Sequence, residues 1–111
     1  MVIEIGTNPI AWSNDDLLEL GGETPLETCL AEAAAAGFRG IELGHKFPRE
    51  PAALRKVLTA HGLALVSGWY GAQLRTRTVA EEIAAMRGHL ALLRALEARV
   101  MVFCETSGTV Q

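Results

Sequence analysis

The chain lacks any run of basic residues. Its ten Lys and Arg are scattered among thirteen Asp and Glu, giving a net charge of −3 and a pI near 5.6. It therefore carries no electrostatic footprint for nucleic-acid phosphates. It also lacks a long apolar run. The longest uncharged stretch, Gly62 to Leu74, falls short of the roughly 18 apolar residues that a spanning helix needs. The start, Met1-Val2-Ile3-Glu4-Ile5, has no basic n-region and an acid at position four, so it does not read as a secretory leader. Cysteine is scarce. Cys29 and Cys104 lie far apart and form no metal-type pair. A disulfide between them stays open, but free thiols and a cytoplasmic location are the expectation. Repeats and low-complexity segments are absent. What remains is ordinary globular composition, 50% hydrophobic and 21% charged, which excludes a disordered chain.

The elements follow from the apolar pattern. Val2 to Gly6 is a β-branched run that predicts a first strand. The polar segment Thr7 to Glu23 predicts a long loop, with at most one helical turn around Asp15 to Leu20. Thr24-Pro25-Leu26-Glu27 predicts a helix start, with Thr24 as cap, Pro25 first in the helix and Glu27 closing a capping box. Leu26, Cys29, Leu30 and Ala33 share one face of that helix, and Gly37 ends it. Phe38 to Leu43 predicts a second strand and Pro51 to His61 a second helix, with Leu54, Val57 and Leu58 on one face. Leu63 to Trp69 predicts a third strand, buried on both sides. A further capping box, Thr78-Val79-Ala80-Glu81, opens a long third helix bearing Ile83, Met86, Leu90, Leu93 and Leu96. Arg99 to Cys104 predicts a fourth strand.

This β-α-β-α-β-α-β order calls for a parallel sheet. A doubly wound sheet and a (β/α)8 barrel compete for it. The first turn, Gly6-Thr7-Asn8-Pro9, carries neither the dinucleotide fingerprint nor a P-loop. Every strand ends instead in polar or aromatic residues, which is how a barrel gathers one site from many strands. Strand alternation supports this reading. Ile41 and Leu43 can face the helices while Gly40 and Glu42 face the interior, and Gly6 and Asn8 share a side. Glu105 shares a face with Met101 and Phe103. Parity in the third strand stays open. Four strands are half of a barrel, which takes about 250 residues. Residues 1–111 therefore read as an incomplete, amino-terminal portion of one α/β TIM-barrel domain, with Ser107 to Gln111 as the loop after the fourth strand. Half a barrel leaves apolar strand residues such as Leu63, Leu65, Met101 and Phe103 facing a missing wall or water. The chain alone is expected to be inactive.

Four stretches resemble the inosose dehydratases of the xylose-isomerase-like superfamily. They are Ile5 to Asp16, Leu20 to Glu27, Glu42 to Arg49 and Leu65 to Tyr70. The resemblance implies a TIM-barrel lyase that removes water from 2-keto-myo-inositol, giving a trihydroxycyclohexane-dione in inositol catabolism. It also implies a divalent metal, manganese or cobalt, with ligands outside this chain. Glu97 departs from the pattern, standing where related sequences tend to have a glycine after the third helix.

Such a dehydration needs a base for the proton beside the ketone, a holder of enolate charge and an acid for the leaving hydroxyl. Glu42 and Glu105 are the candidate catalytic carboxylates, with rim salt bridges as their plainer role. Asn8 is a candidate for binding substrate hydroxyls, or else shapes the turn before Pro9. Trp12 and Trp69 are candidate apolar walls, or else core. His45 is a candidate acid-base or substrate-binding group, and Lys46 could meet an enolate oxygen. His61 and His89 are expected on the outer layer without function, and Cys29 in the core. The expected partner is a small polyol ketone, with no nucleic acid and no membrane, and a homo-oligomer allowed. Two other readings stay open: a sugar isomerase or epimerase of the same superfamily, and a non-catalytic interaction module.

Overall fold

The computed structural model describes residues 1–109; Val110 and Gln111, assigned above to the last loop, lie outside the described residues. Its strands are β1 (Gly6–Thr7), β2 (Gly40–Leu43), β3 (Ala64–Ala72) and β4 (Val100–Glu105). Between them lie the helices α1 (Leu26–Ala35), α2 (Pro51–Ala60) and α3 (Val79–Ala95). The four strands form one parallel sheet in the order β1-β2-β3-β4. This is the α/β arrangement expected for the first half of a (β/α)8 barrel.

One face of the sheet carries the core. Ile41, Leu43 and Leu65 from the strands meet Cys29, Leu30 and Ala33 of α1, Leu54 and Leu58 of α2, and Leu92 and Leu93 of α3. Leu63 joins this cluster and Met101 packs against it. Leu63, Leu65 and Met101 therefore do not face the uncovered side. Phe103 is exposed as expected, and Val66, Trp69 and Val102 are bare as well, each of the four more than a third exposed.

Local chemistry explains most element boundaries. Thr78 and Glu81 form the expected capping box, with Thr78 Oγ1 accepting from Glu81 N (3.2 Å) and Glu81 Oε2 accepting from Thr78 N (2.7 Å). Gly37 and Gly62 take the left-handed backbone that ends α1 and α2, and Glu97 does so after α3, at φ 61°. The box at Thr24 does not form. Pro25 is itself the cap residue of α1, and no side chain caps that end. Glu27 is drawn away, its Oε2 lying 2.6 Å from Nε2 of His61 at the end of α2.

The first strand is shorter than its β-branched run. Ile5 O accepts from Arg39 N (2.9 Å), but residues 1–5 form no strand and are exposed. A strand needs a partner ladder, and among the described residues β1 has one on β2's side alone. The long loop has a 3-10 turn at Pro9–Ala11, not a helical turn at Asp15 to Leu20. On α3, Ile83 and Leu90 are exposed while Leu92, Leu93 and Leu96 are buried. The apolar stripe read from the sequence is wider than the face α3 lays on β3.

Candidate functional site

Glu42 lies next to the carboxyl end of β2, on the bare face. Both of its carboxylate oxygens are held. Oε1 accepts from Asn8 Nδ2 (2.6 Å) and Oε2 from Ser67 Oγ (2.5 Å). Asn8 serves the turn and the site together. Its Oδ1 accepts from Ile10 N (2.8 Å), capping the 3-10 turn, and this leaves the amide nitrogen for Glu42.

Ser67 reaches Glu42 through a bulge. Ile41 pairs with Leu65, but Glu42 pairs with Ser67, so Val66 is an extra residue in β3. Leu65 faces the helices, while Val66 approaches the Cβ positions of Gly6 and Gly40 on the other side. Ser67 follows Val66 onto the bare face. The break in alternation is why parity in the third strand could not be read. Trp69 lies on the bare face beside Gly71, 46% exposed.

A second pair stands at the same end of the sheet. Asp15 Oδ1 lies 2.6 Å from Nδ1 of His45 and also accepts from His45 N at 3.4 Å. A carboxylate only accepts, so Nδ1 carries the proton and Nε2 is the remaining ring atom. Asn14 shapes the loop that presents Asp15, its Oδ1 accepting from Asp16 N and Leu17 N. Lys46 does not line the cavity. Its ammonium donates to the carbonyls of Gly21 (2.8 Å), Gly22 (3.0 Å) and Thr24 (2.5 Å), which ties the loop down.

These residues border a cavity of about 670 Å³. It is lined by Asn8, Ile10, Asp15 and Asp16 before α1, by Glu42, Leu43, His45 and Arg49 around the end of β2, and by Trp69 of β3. Gly88, His89 and Leu92 of α3 complete it. His89 thus corrects an expectation, because it points at the sheet and not outward. Gly68 has no Cβ, and that gap admits the imidazole: a Cβ there would lie 2.9 Å from the ring. The ring centroid is 5.8 Å from that of Tyr70, and Nε2 is buried without a hydrogen-bond partner.

Two expected site residues stand elsewhere. Trp12 does not line the cavity. The turn at Pro9–Ala11 directs its ring onto the core, and its Nε1 donates to Glu32 Oε2 of α1 (2.5 Å). Glu105 does not line it either. It pairs in register with Ala72, as Met101 does with Gly68 and Phe103 with Tyr70. Gly68 and Tyr70 face α3, so Glu105 belongs to the helix face. Its carboxylate accepts from Ser107 Oγ, from Ser107 N (2.7 Å) and from Leu74 N (2.7 Å), joining two loops. The Ser107 hydroxyl is the chief reason its pKa falls below the usual carboxylate value.

Sequence reasoning also missed Glu82. This carboxylate is 2% exposed on α3 and accepts from the Tyr70 hydroxyl, Gln73 N (2.9 Å) and Arg77 Nη1 (3.2 Å). The Tyr70 hydrogen bond above all pulls the Glu82 pKa down, and the same bond pushes Tyr70 up. Glu82 braces the turn between β3 and α3. Among the described residues no group of three or more His, Cys, Asp or Glu is placed to hold a metal ion. These side chains therefore do not fit a metal centre of their own. Among the described residues no helix is long and apolar enough to cross a membrane.

No family model matches the chain. It is 53% identical over 107 residues to a rhizopine catabolism protein, MocC, of Rhizobium meliloti, covering 96% of this chain and 33% of that protein. It is 39% identical over 109 residues to an inosose dehydratase of Geobacillus thermodenitrificans, and 40% over 109 residues to inosose dehydratase 2 of Bacillus cereus. Each of these two matches covers 98% of this chain and 37% of the relative. The chain thus spans about a third of the length of the curated relatives it matches.

Proposed function

We propose that the protein carrying this chain is a hydro-lyase that removes water from 2-keto-myo-inositol in inositol catabolism, with this chain supplying part of the substrate pocket. One observation carries the reading. Three of the four stretches that resemble inosose dehydratases supply most of the cavity lining, and Leu20 to Glu27 supplies none of it. Asn8 and Asp15 lie in the first, Glu42, His45 and Arg49 in another, and Trp69 in the last; only Gly88, His89 and Leu92 come from outside them. A likeness that merely preserved a fold would concentrate in the aliphatic face instead.

The chemistry suits a polyol ketone. Glu42 is an acceptor with two donors already in place, and each carboxylate oxygen has a lone pair left for an incoming proton or hydroxyl. In this reading Glu42 takes the proton beside the ketone, Asn8 and Ser67 keep its carboxylate aimed, and Trp69 offers an apolar wall. The manganese or cobalt ion implied by the resemblance would be held by residues outside this chain, and it would supply charge stabilisation to an enolate. A cytoplasmic setting is supported by Cys29 and Cys104 both being free.

The test is loss of water from 2-keto-myo-inositol by the intact protein supplied with manganese or cobalt. Interconversion of ketose epimers without water loss would replace this reading with an isomerase or epimerase. The higher identity to the rhizopine catabolism protein favours a second reading, in which the protein works in rhizopine breakdown. Deleting the gene and comparing growth on rhizopine with growth on myo-inositol separates the two.

A further inference from the structure

We propose that Asp15 and His45 form the proton-donating pair of this cavity, with His45 as the acid that protonates the departing hydroxyl and Asp15 as its positioning residue. The proposal deepens the dehydratase reading and rests on it. Elimination from a polyol ketone needs a base and an acid at once, and one carboxylate does not serve well as both. Glu42 is accounted for on the base side, since both of its oxygens already accept hydrogen bonds. Among the other ionisable residues lining the cavity, Arg49 donates to Gly44 O (3.0 Å) and cannot give up its proton. The ring of His89 is packed over Gly68 with Nε2 buried. Asp16 has no imidazole to act through. His45 differs from all of these.

The 2.6 Å contact between its Nδ1 and Asp15 fixes the ring orientation and the tautomer, and the 3.4 Å backbone contact holds the same oxygen from a second point. Nε2 is left to the cavity. A carboxylate behind an imidazole stabilises the imidazolium that an acid must be, and here the carboxylate is half exposed, with 51% of the Asp15 side chain open to solvent. Asp15 comes from the loop before α1 and His45 from the loop after β2, 30 residues apart, and among the described residues neither has another side-chain partner that explains the approach.

Glu42 takes the proton from the carbon beside the ketone, and the electron pair moves into an enolate. The enolate pair then forms the carbon–carbon double bond as the carbon–oxygen bond at the neighbouring carbon breaks. His45 Nε2 gives its proton to the departing oxygen, which leaves as water. Glu42 now holds one proton more and His45 one fewer, and transfer between them through water restores both. No oxidant or reductant is consumed.

The experiment separates the two proton transfers in the intact protein. Inosose is incubated in deuterium oxide, and deuterium uptake at the carbon beside the ketone is followed alongside water loss. In His45→Gln, uptake is expected to persist, while dehydration falls by about 10²–10⁴-fold, the range for one general acid. Asp15→Asn is expected to fall less than His45→Gln in the same direction, with kcat affected more than KM. His45→Gly is expected to recover dehydration as imidazole is added, which a structural role would not produce. Undiminished dehydration in His45→Gln overturns the proposal while leaving the dehydratase reading standing. So does a joint loss of uptake and dehydration that imidazole does not restore. Failure of the unaltered protein to dehydrate inosose removes the dehydratase reading, and the acid role with it.

Discussion

The two faces of the sheet are made from different kinds of residue. On the covered face Ile41, Leu43 and Leu65 meet Leu30, Leu54, Leu58 and Leu93, all under a tenth exposed. The side chains there are nearly interchangeable in chemistry, and what holds them is area removed from water, roughly 1.5–3 kcal/mol for each large aliphatic side chain. On the bare face stand Gly6, Gly40, Glu42, Val66, Ser67 and Trp69. Those neighbours divide several tasks among them. The glycines make room for Val66, Ser67 and Asn8 orient Glu42, and Trp69 borders the cavity. Stability is therefore concentrated on one side and chemistry on the other.

The sharpest way to break that contrast is to exchange their symptoms. Glu42→Gln keeps the shape but cannot take a proton, so turnover of inosose should fall by about 10²–10⁴-fold while the melting temperature stays near that of the unaltered protein. Leu54→Ala should do the reverse. It removes a fully buried side chain and should lower unfolding free energy by about 2–5 kcal/mol in a denaturant titration, with KM little changed below the transition. If Glu42→Gln unfolds the protein, or Leu54→Ala alters catalysis without altering stability, the division between faces is wrong.

A smaller effect tests whether the bare face is packed at all. A Cβ on Gly40 would come 2.2 Å from Val66 Cγ1. Gly40→Ala should therefore destabilise by about 1–3 kcal/mol, and adding Val66→Ala should return most of it. Additive losses in the double variant would place the strain elsewhere.

Acid should find the covered side through Glu82. Its folded pKa is lowered, chiefly by the Tyr70 hydroxyl, from an ordinary value of 4.5. The ionised form thus contributes stability above that value, and the contribution disappears as pH falls through the lower folded value. Glu82→Gln should flatten the decline in stability below about pH 4.5, read as melting temperature against pH, because it removes a proton that the unfolded chain binds first. An unchanged acid limb would mean that Glu82 carries little of it.

The smallest effect is at Glu97, which holds the left-handed conformation after α3 with a side chain attached. Glu97→Gly should raise stability by about 1 kcal/mol, since L residues with a Cβ are disfavoured there. The equilibrium unfolding midpoint is the measurement, and a lower midpoint would show that Glu97 makes a compensating contact.

Covered-face residues were legible because burial leaves a periodic mark. Cys29, Leu30 and Ala33 could be assigned from helical spacing alone, and Ile41 and Leu43 from alternation. Thr78 and Glu81 were legible for a similar reason: a capping box is a contact between residues three apart. Of the site, Asn8, Glu42, His45 and Trp69 were found because the strands read from the sequence end at or beside them in a parallel α/β order, although β3 in fact runs on past Trp69 to Ala72. Asp15 left no signal, since its loop reads only as polar and its partner is 30 residues away. Trp12 and Glu105 share the marks of site residues, yet a 3-10 turn sends one to α1 and the β3–β4 register puts the other on the helix face.

The sequence by itself determined the order of strands and helices, most of their ends and the aliphatic face, because each depends on residues within about one helical turn or one strand. The tertiary structure decided the rest. The extra residue Val66 turned Ser67 toward Glu42, the missing Cβ of Gly68 let His89 turn inward, and Lys46 was spent on three loop carbonyls. Each of those outcomes depends on what a neighbouring strand or loop leaves open, and a local pattern holds no record of the space beside it.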